Sequence, residues 1–184
     1  VIADSTAKLF SVSAIIIAPG LKNGLRIKTD NPAEVGADII CTSVAALHIA
    51  EPPLLILDMG TATTLTLISS NKELIGTTIC PGMETALKSL IDSTSLINET
   101  YISPVQNLIG TNTTASVKSG IYYGNLFMVD GLTDRIKFDI NNSVSLLATG
   151  GLANLLVPNL KNKFKYIENL TLLGAAIIFQ KNFV

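Results

Sequence analysis

Three consecutive runs constrain this chain most: LLILDMG (54–60), TTLTLIS (63–69) and LIGTTICPG (74–82). The first is a nearly unbroken aliphatic run, the pattern of a strand buried on both faces, and the second alternates with period two. A turn at Gly60 separates them, and SSNKE (69–73) suits a hairpin into the third. Three adjoining strands commit the middle of the chain to a sheet. The first strand also delivers a carboxylate, Asp58, into a turn followed by Thr61, Ala62, Thr63 and Thr64.

The flanking segments read mainly as helices. Residues 3–11 predict a short helix and SAIIIA (13–18) a strand, followed by a loop over 19–32 rich in Gly, Pro, Asn and Asp. A helix is expected over 31–50, with Asn31 as cap, Pro32 at its first position and Glu34 three beyond the cap; Pro52-Pro53 stops it. METALKSLIDSTSLI (83–97) reads as a helix, and a loop then runs to Gly110. Residues 113–138 read as one long helix. Its glycines at 120, 124 and 131 share a face and each cost about 1 kcal/mol against Ala, which points to close packing against another backbone. SVSLLATGG (143–151) is a strand entering a second glycine turn, and TLLGAAIIFQKNF (171–183) a terminal helix. Strands and crossover helices in this order predict a mixed α/β layer, with both glycine turns at strand C-terminal ends, where such sheets bind ligands.

Composition narrows the function classes. The 184 residues are 48% hydrophobic and only 15% charged, with a mean hydropathy of +0.47, which suggests that a partner subunit covers some surface. The most apolar region, 39–57, is broken by His48, Glu51 and the proline pair, so no membrane span is expected. A net charge of −1 offers no basic field for nucleic acid. Cys41 and Cys80 form neither a CxxC pair nor a disulfide framework, and the first twenty residues lack a basic n-region and a cleavage pattern. Both readings point to a reduced, cytoplasmic setting.

Several residues carry candidate chemistry. Gly60 allows a phosphate oxygen to approach turn amides and threonine hydroxyls, and Asp58 can hold a cation that offsets phosphate charge. The alternative is an ordinary hairpin whose Asp58 accepts turn amide bonds. ATGGLA (148–153) is a second turn suited to a nucleobase or sugar, or simply a turn. Asp38, in EVGADII, is either a general base facing a cleft or a solvated helix-face residue. His48, the one histidine, reads as a helix-face or core residue with no assigned role.

Taken in series, PGLKNGLRIKTDNPAEVGAD, DMGTATT, CPGMETALKSL, IGTNTTASVKSGIYYG and ATGGLA resemble the type III pantothenate kinases, from about residue 17 to the C-terminus. These are actin-like, ribonuclease-H-fold phosphotransferases, related to the Bvg accessory factor type of transcriptional regulator. The resemblance implies ATP-dependent phosphorylation of pantothenate, opening coenzyme A synthesis, with Mg²⁺ and a monovalent cation (K⁺ or NH₄⁺) as cofactors and a homodimer as the assembly. It implies Asp38 as catalytic base, Gly36 and Ala37 as its substrate-binding neighbours, and Asp58 as the cation ligand. Thr61 and the Gly150–Gly151 turn would contact ATP, and Thr113 pantothenate, across the dimer. Ile39 stands where the family commonly has Arg, and Thr29 where it has Tyr. The family's opening D-x-G-N-T-N phosphate loop has no counterpart in these residues. The expected architecture is therefore the tail of a first actin-like lobe (1–51) and a second lobe (52–184), a piece inactive alone. The rival implication is a relative of impaired catalysis, acting as a regulator or binding protein.

Overall fold

The computed structural model describes residues 2–17, 21–95, 97, 100–141 and 143–184. One mixed sheet carries the fold, in the order β1-β4-β3-β2-β5-β6. Its strands are β1 (Arg26–Ile27), β2 (Leu54–Met59), β3 (Ala62–Ile68), β4 (Glu73–Pro81), β5 (Ser145–Thr149) and β6 (Lys165–Tyr166). β3 runs antiparallel to both β2 and β4, whereas β2 with β5, β5 with β6, and β1 with β4 are parallel. Five strands ordered β4-β3-β2-β5-β6 with only the second reversed make the ribonuclease-H-like lobe of the actin-like fold.

Helices cover both faces, as a sheet with a central buried strand requires. On one side α3 (Met83–Asp92), α4 (Thr113–Ile140) and α5 (Ala153–Leu156) belong to the layer that meets Leu55, Leu57, Met59 and Leu65. On the other, α2 (Ala37–Ile49) and α6 (Leu170–Phe183) enclose Leu54, Ile56 and Ile68. Alternate residues of β2 thus feed opposite cores, so all of Leu54–Leu57 are buried. α2 and α6 approach so closely that Gly174 lies against the Cys41 carbonyl. No helix among the described residues is long and apolar enough to cross a membrane.

The expected strands of the middle segment, the long α4 and the terminal helix all form, and α1 (Ile2–Phe10) matches the expected first helix. Three expectations change. Residues 13–17 form no strand; the sheet edge at β4 is taken instead by Arg26–Ile27, inside the expected loop, and Ile15 and Ile16 stay exposed. The helix expected from Asn31 is a 3₁₀ turn over Pro32–Glu34, capped as anticipated by Asn31. Val35 and Gly36 are extended, so α2 starts only at Ala37. The helix expected to reach 97 ends at Asp92, where serine and threonine side chains compete for the backbone; Thr94 Oγ1 donates to the Leu90 carbonyl (3.1 Å). Ala18, Pro19, Gly20 and Leu96, which belong to these expectations, lie outside the described residues.

Candidate functional site

Asp58 is placed by register. It pairs with Thr64 across β3 and with Thr149 across β5, on the β2 face shared with Leu54 and Ile56, beneath α2. Four buried aliphatic residues fix that register, because a one-residue slip would move the carboxylate into the opposite core. Asp58 itself is half-buried. Burial, and secondarily the negative charge of Asp38, push its carboxyl above the ordinary aspartate range. A cation bound beside it would favour the charged carboxylate against both of these effects.

Asp38 lies in the first turn of α2, exposed to solvent, with Oδ1 accepting from the Ile39 amide (2.9 Å). Gly36 makes room for it: a Cβ there would strike the Asp38 carboxylate. Ala37 opens the helix beside it, also exposed. The adjoining cleft of about 400 Å³ is lined by Asn31, Pro32, Val35 and Ile40 together with Leu21 and Ile178. Asp38 itself is not among the residues that line this largely apolar recess, although Val35 and Ile40, close to it in the chain, are.

The turn after Asp58 is held by three strand ends. The Gly60 amide donates to the Ala62 carbonyl (3.0 Å), closing the turn. From the end of β4, the Gly82 amide donates to the Thr61 carbonyl (3.0 Å), which also accepts from Thr85 Oγ1 (2.7 Å). A side chain at Gly82 would collide with the Gly60 and Thr61 carbonyls. From the end of β5, Gly150 adopts φ +100° against the Met59 backbone, a conformation and an approach that only glycine permits. Thr61 is left exposed at the apex.

Asp58, Thr149, Gly150 and Gly151 share one cleft of about 240 Å³ with Tyr166, Glu168, Asn169 and Thr171. The structure therefore joins the two glycine turns and the carboxylate into one site, with Asp38 acting on it electrostatically. Thr113 is not among the residues that line this cleft: it is exposed at the start of α4, after the capping Asn112. The residues from Tyr166 to Thr171 went unnoticed in the sequence. Their one signal is the polar pair Glu168-Asn169 just before the terminal helix, where Asn169 takes a left-handed conformation (φ 56°). His48 takes the helix-face place expected, its Nδ1 paired with the Val44 carbonyl (2.9 Å).

Comparison with known proteins bears on the same residues. A family model described as type III pantothenate kinase matches residues 1–135. A type III pantothenate kinase of Halalkalibacterium halodurans is 40% identical over 175 residues, 95% of this chain and 69% of that protein. Those of Geobacillus sp. and Frankia alni are 38% and 36% identical, over 95% and 91% of this chain and 68% and 67% of theirs. Among solved structures, a Campylobacter jejuni protein described as a Baf family transcriptional activator superposes with a TM-score of 0.58 at 21% identity. It covers 84% of this chain and 67% of its own, a likeness of fold.

Proposed function

From the premise that the chain belongs to the type III pantothenate kinase family, we propose that the intact protein transfers the γ-phosphoryl group of ATP to pantothenate. The observation that carries this reading is the convergence of Asp38, Asp58 and the Gly60 and Gly150 turns at one end of the sheet. Phosphoryl transfer requires positioning and charge neutralisation more than covalent chemistry, and those are what such a corner offers. In the reaction, Asp38 takes the proton of the pantothenate hydroxyl as that oxygen bonds to the γ-phosphorus. The bond from the γ-phosphorus to the bridging oxygen breaks, and ADP leaves.

Asp58 would hold a monovalent cation, K⁺ or NH₄⁺, whose charge offsets that of the phosphates. Mg²⁺ would arrive on the nucleotide, since such ions bind mainly through substrate phosphates and few carboxylates. Thr61 and the Gly150–Gly151 turn would contact ATP, and Gly36 and Ala37 the acceptor beside Asp38. A homodimer packed through α4 would carry Thr113 to the partner's acceptor site. A protein of these 184 residues alone, without a D-x-G-N-T-N loop, is expected not to turn over.

Steady-state kinetics on the full-length protein test the reading. Asp38→Asn preserves size and most hydrogen bonding but removes the proton acceptor, so turnover should fall by about 10² to 10⁴ while ATP binding persists. Activity should require potassium or ammonium, and Asp58→Asn should weaken that requirement. Ile39→Arg adds a forked donor beside the base and should tighten pantothenate binding. Wild-type rates in Asp38→Asn refute the base assignment, and equal rates in sodium alone refute the cation site. ATP binding without turnover in the wild type would favour a regulatory relative.

A further inference from the structure

The recess of about 400 Å³ near the start of α2 has a polarity that the roles above leave unused. Val35, Ile40 and Ile178 make it apolar, Ala33 also lines it, and no described lining residue is charged. The two asparagines that line it are already engaged. Asn23 Oδ1 accepts from the Leu25 amide (2.9 Å). Asn31 Oδ1 accepts from the Ala33 amide (3.3 Å), and its Nδ2 donates to Glu34 (2.7 Å).

Charge around Asp38 points the same way. Residues 29–71 contain no Lys or Arg, but they contain the carboxylates of Asp30, Glu34, Asp38, Glu51 and Asp58. Ile39, next to Asp38, is half-buried yet packs into no core cluster of the described residues, which leaves an apolar side chain beside the acid. From α6, the Lys181 ammonium is directed at the Asn23 carbonyl (3.3 Å). Ile40 shares the first turn of α2 with Asp38. One helical turn rises about 5.4 Å, so an acceptor longer than this, with its hydroxyl at Asp38, reaches the recess with its far end. A carboxylate laid there loses water and gains no counter-charge. An amide loses only hydrogen bonds, and an alkyl group attached to it gains from burial.

We propose that the acceptor site prefers an uncharged acceptor: a primary alcohol of the pantothenate type in which an N-alkyl amide replaces the carboxylate, its alkyl chain lying in this recess. The inference rests on the kinase reading for the group transferred. The step is unchanged: the hydroxyl oxygen bonds to the γ-phosphorus, its proton passes to Asp38, and ADP leaves. The amide end takes no part in it.

The test compares pantothenate with its N-methyl, N-propyl and N-pentyl amides as acceptors for the full-length protein, with ATP and potassium present. The pentyl amide should give a higher kcat/KM than pantothenate, and the series should rise by about two- to fourfold per added methylene. Ala33→Phe places a ring in the recess, so the advantage of the pentyl over the methyl amide should shrink towards one. A flat or falling series in the wild type overturns the proposal, as does a steep series that survives Ala33→Phe. Lys181→Gln that weakens pantothenate alone also overturns it, since the recess would then hold a carboxylate against that ammonium. Turnover of pantothenate alone leaves the kinase reading standing without this one. If no acceptor turns over, the kinase reading falls, and calorimetric titration with the same amides decides the recess. A Kd that drops with chain length keeps it, and a Kd independent of length removes it.

Discussion

Asp58 illustrates a residue whose placement opposes its own charge. Burial and the neighbouring Asp38 raise its carboxyl pKa, so the folded protein binds that proton more tightly than the unfolded chain does. Folded stability then falls as pH rises from the ordinary aspartate value through the raised one, and stays lowered above it. In full-length protein without potassium or ammonium, Asp58→Asn should therefore raise the melting temperature at pH 7. The gain should vanish below the ordinary aspartate range, where both side chains are neutral. Thermal melts at pH 7 and pH 3 check this, and an Asn variant that melts lower at pH 7 contradicts it. Sacrificing stability at a site in this way is common where function needs an uncompensated charge. The position of the carboxylate was legible in the sequence because it ends an aliphatic run, although the same residues also fit an ordinary hairpin. Gly82 was not: in CPGMETALKSL it precedes a helix, and its contact with the Gly60–Thr61 turn joins residues more than twenty positions apart.

At the level of elements, the sequence was legible where period and burial agree. β2 follows a pattern that its four buried aliphatic residues reinforce, β3 and β4 adjoin it through short turns, and α4 is capped by Asn112, whose Oδ1 accepts from the Ala115 amide (2.9 Å). Residues 13–17 carried the same aliphatic signal, but a strand needs a neighbouring edge, and local composition does not contain that information. The clamp between α4 and the loop before β6 was equally hidden. Asp130 accepts from the Lys161 and Asn162 amides (both 2.9 Å), and Asn162 Nδ2 donates to Asp134 (2.9 Å). Lys137 donates to Asn162 Oδ1 (2.6 Å), so the buried amide is engaged at both ends. Asn162→Ala should cost about 1 to 3 kcal/mol by leaving these groups unpaired. Hydrogen bonds from Lys161 and Asn162 hold Asp134 below the usual aspartate range. Its contribution is thus present above the ordinary aspartate value and lost as pH falls through the lowered one. Urea melts should show the Asn162→Ala deficit in full at pH 7 and diminished in strong acid; equal stability at pH 7 would mean the clamp is ornamental.

For the whole molecule, the outer face of α4 is the unresolved demand. Gly120, Gly124, Phe127, Gly131 and Phe138 fall on one helical stripe, and among the described residues a Cβ built at any of the three glycines would meet no neighbour within 4 Å beyond the helix's own backbone. Phe127 and Phe138 are exposed on that stripe. Three glycines in a helix interior each cost about 1 kcal/mol against Ala, so the stripe is expensive for a surface facing only water. The same residues are economical if another backbone lies against them, with the two phenylalanines as the anchors of the contact. This is the physical content of the dimer proposed above, and it accounts for a chain 48% hydrophobic with so few charges. A stable interface of this kind should bury more than about 1,000 Å² in total. Light scattering on the full-length protein at micromolar concentration should give twice the chain mass. Gly124→Lys should shift the mass to that of one chain, because a charged side chain there prevents the backbones from meeting. Its helix content should hold, since lysine is the better helix former. If Thr113 acts across the same contact, the dissociated variant should lose pantothenate binding more than ATP binding. A wild-type protein that scatters as a single chain removes the reason for the stripe and places Thr113 outside the site.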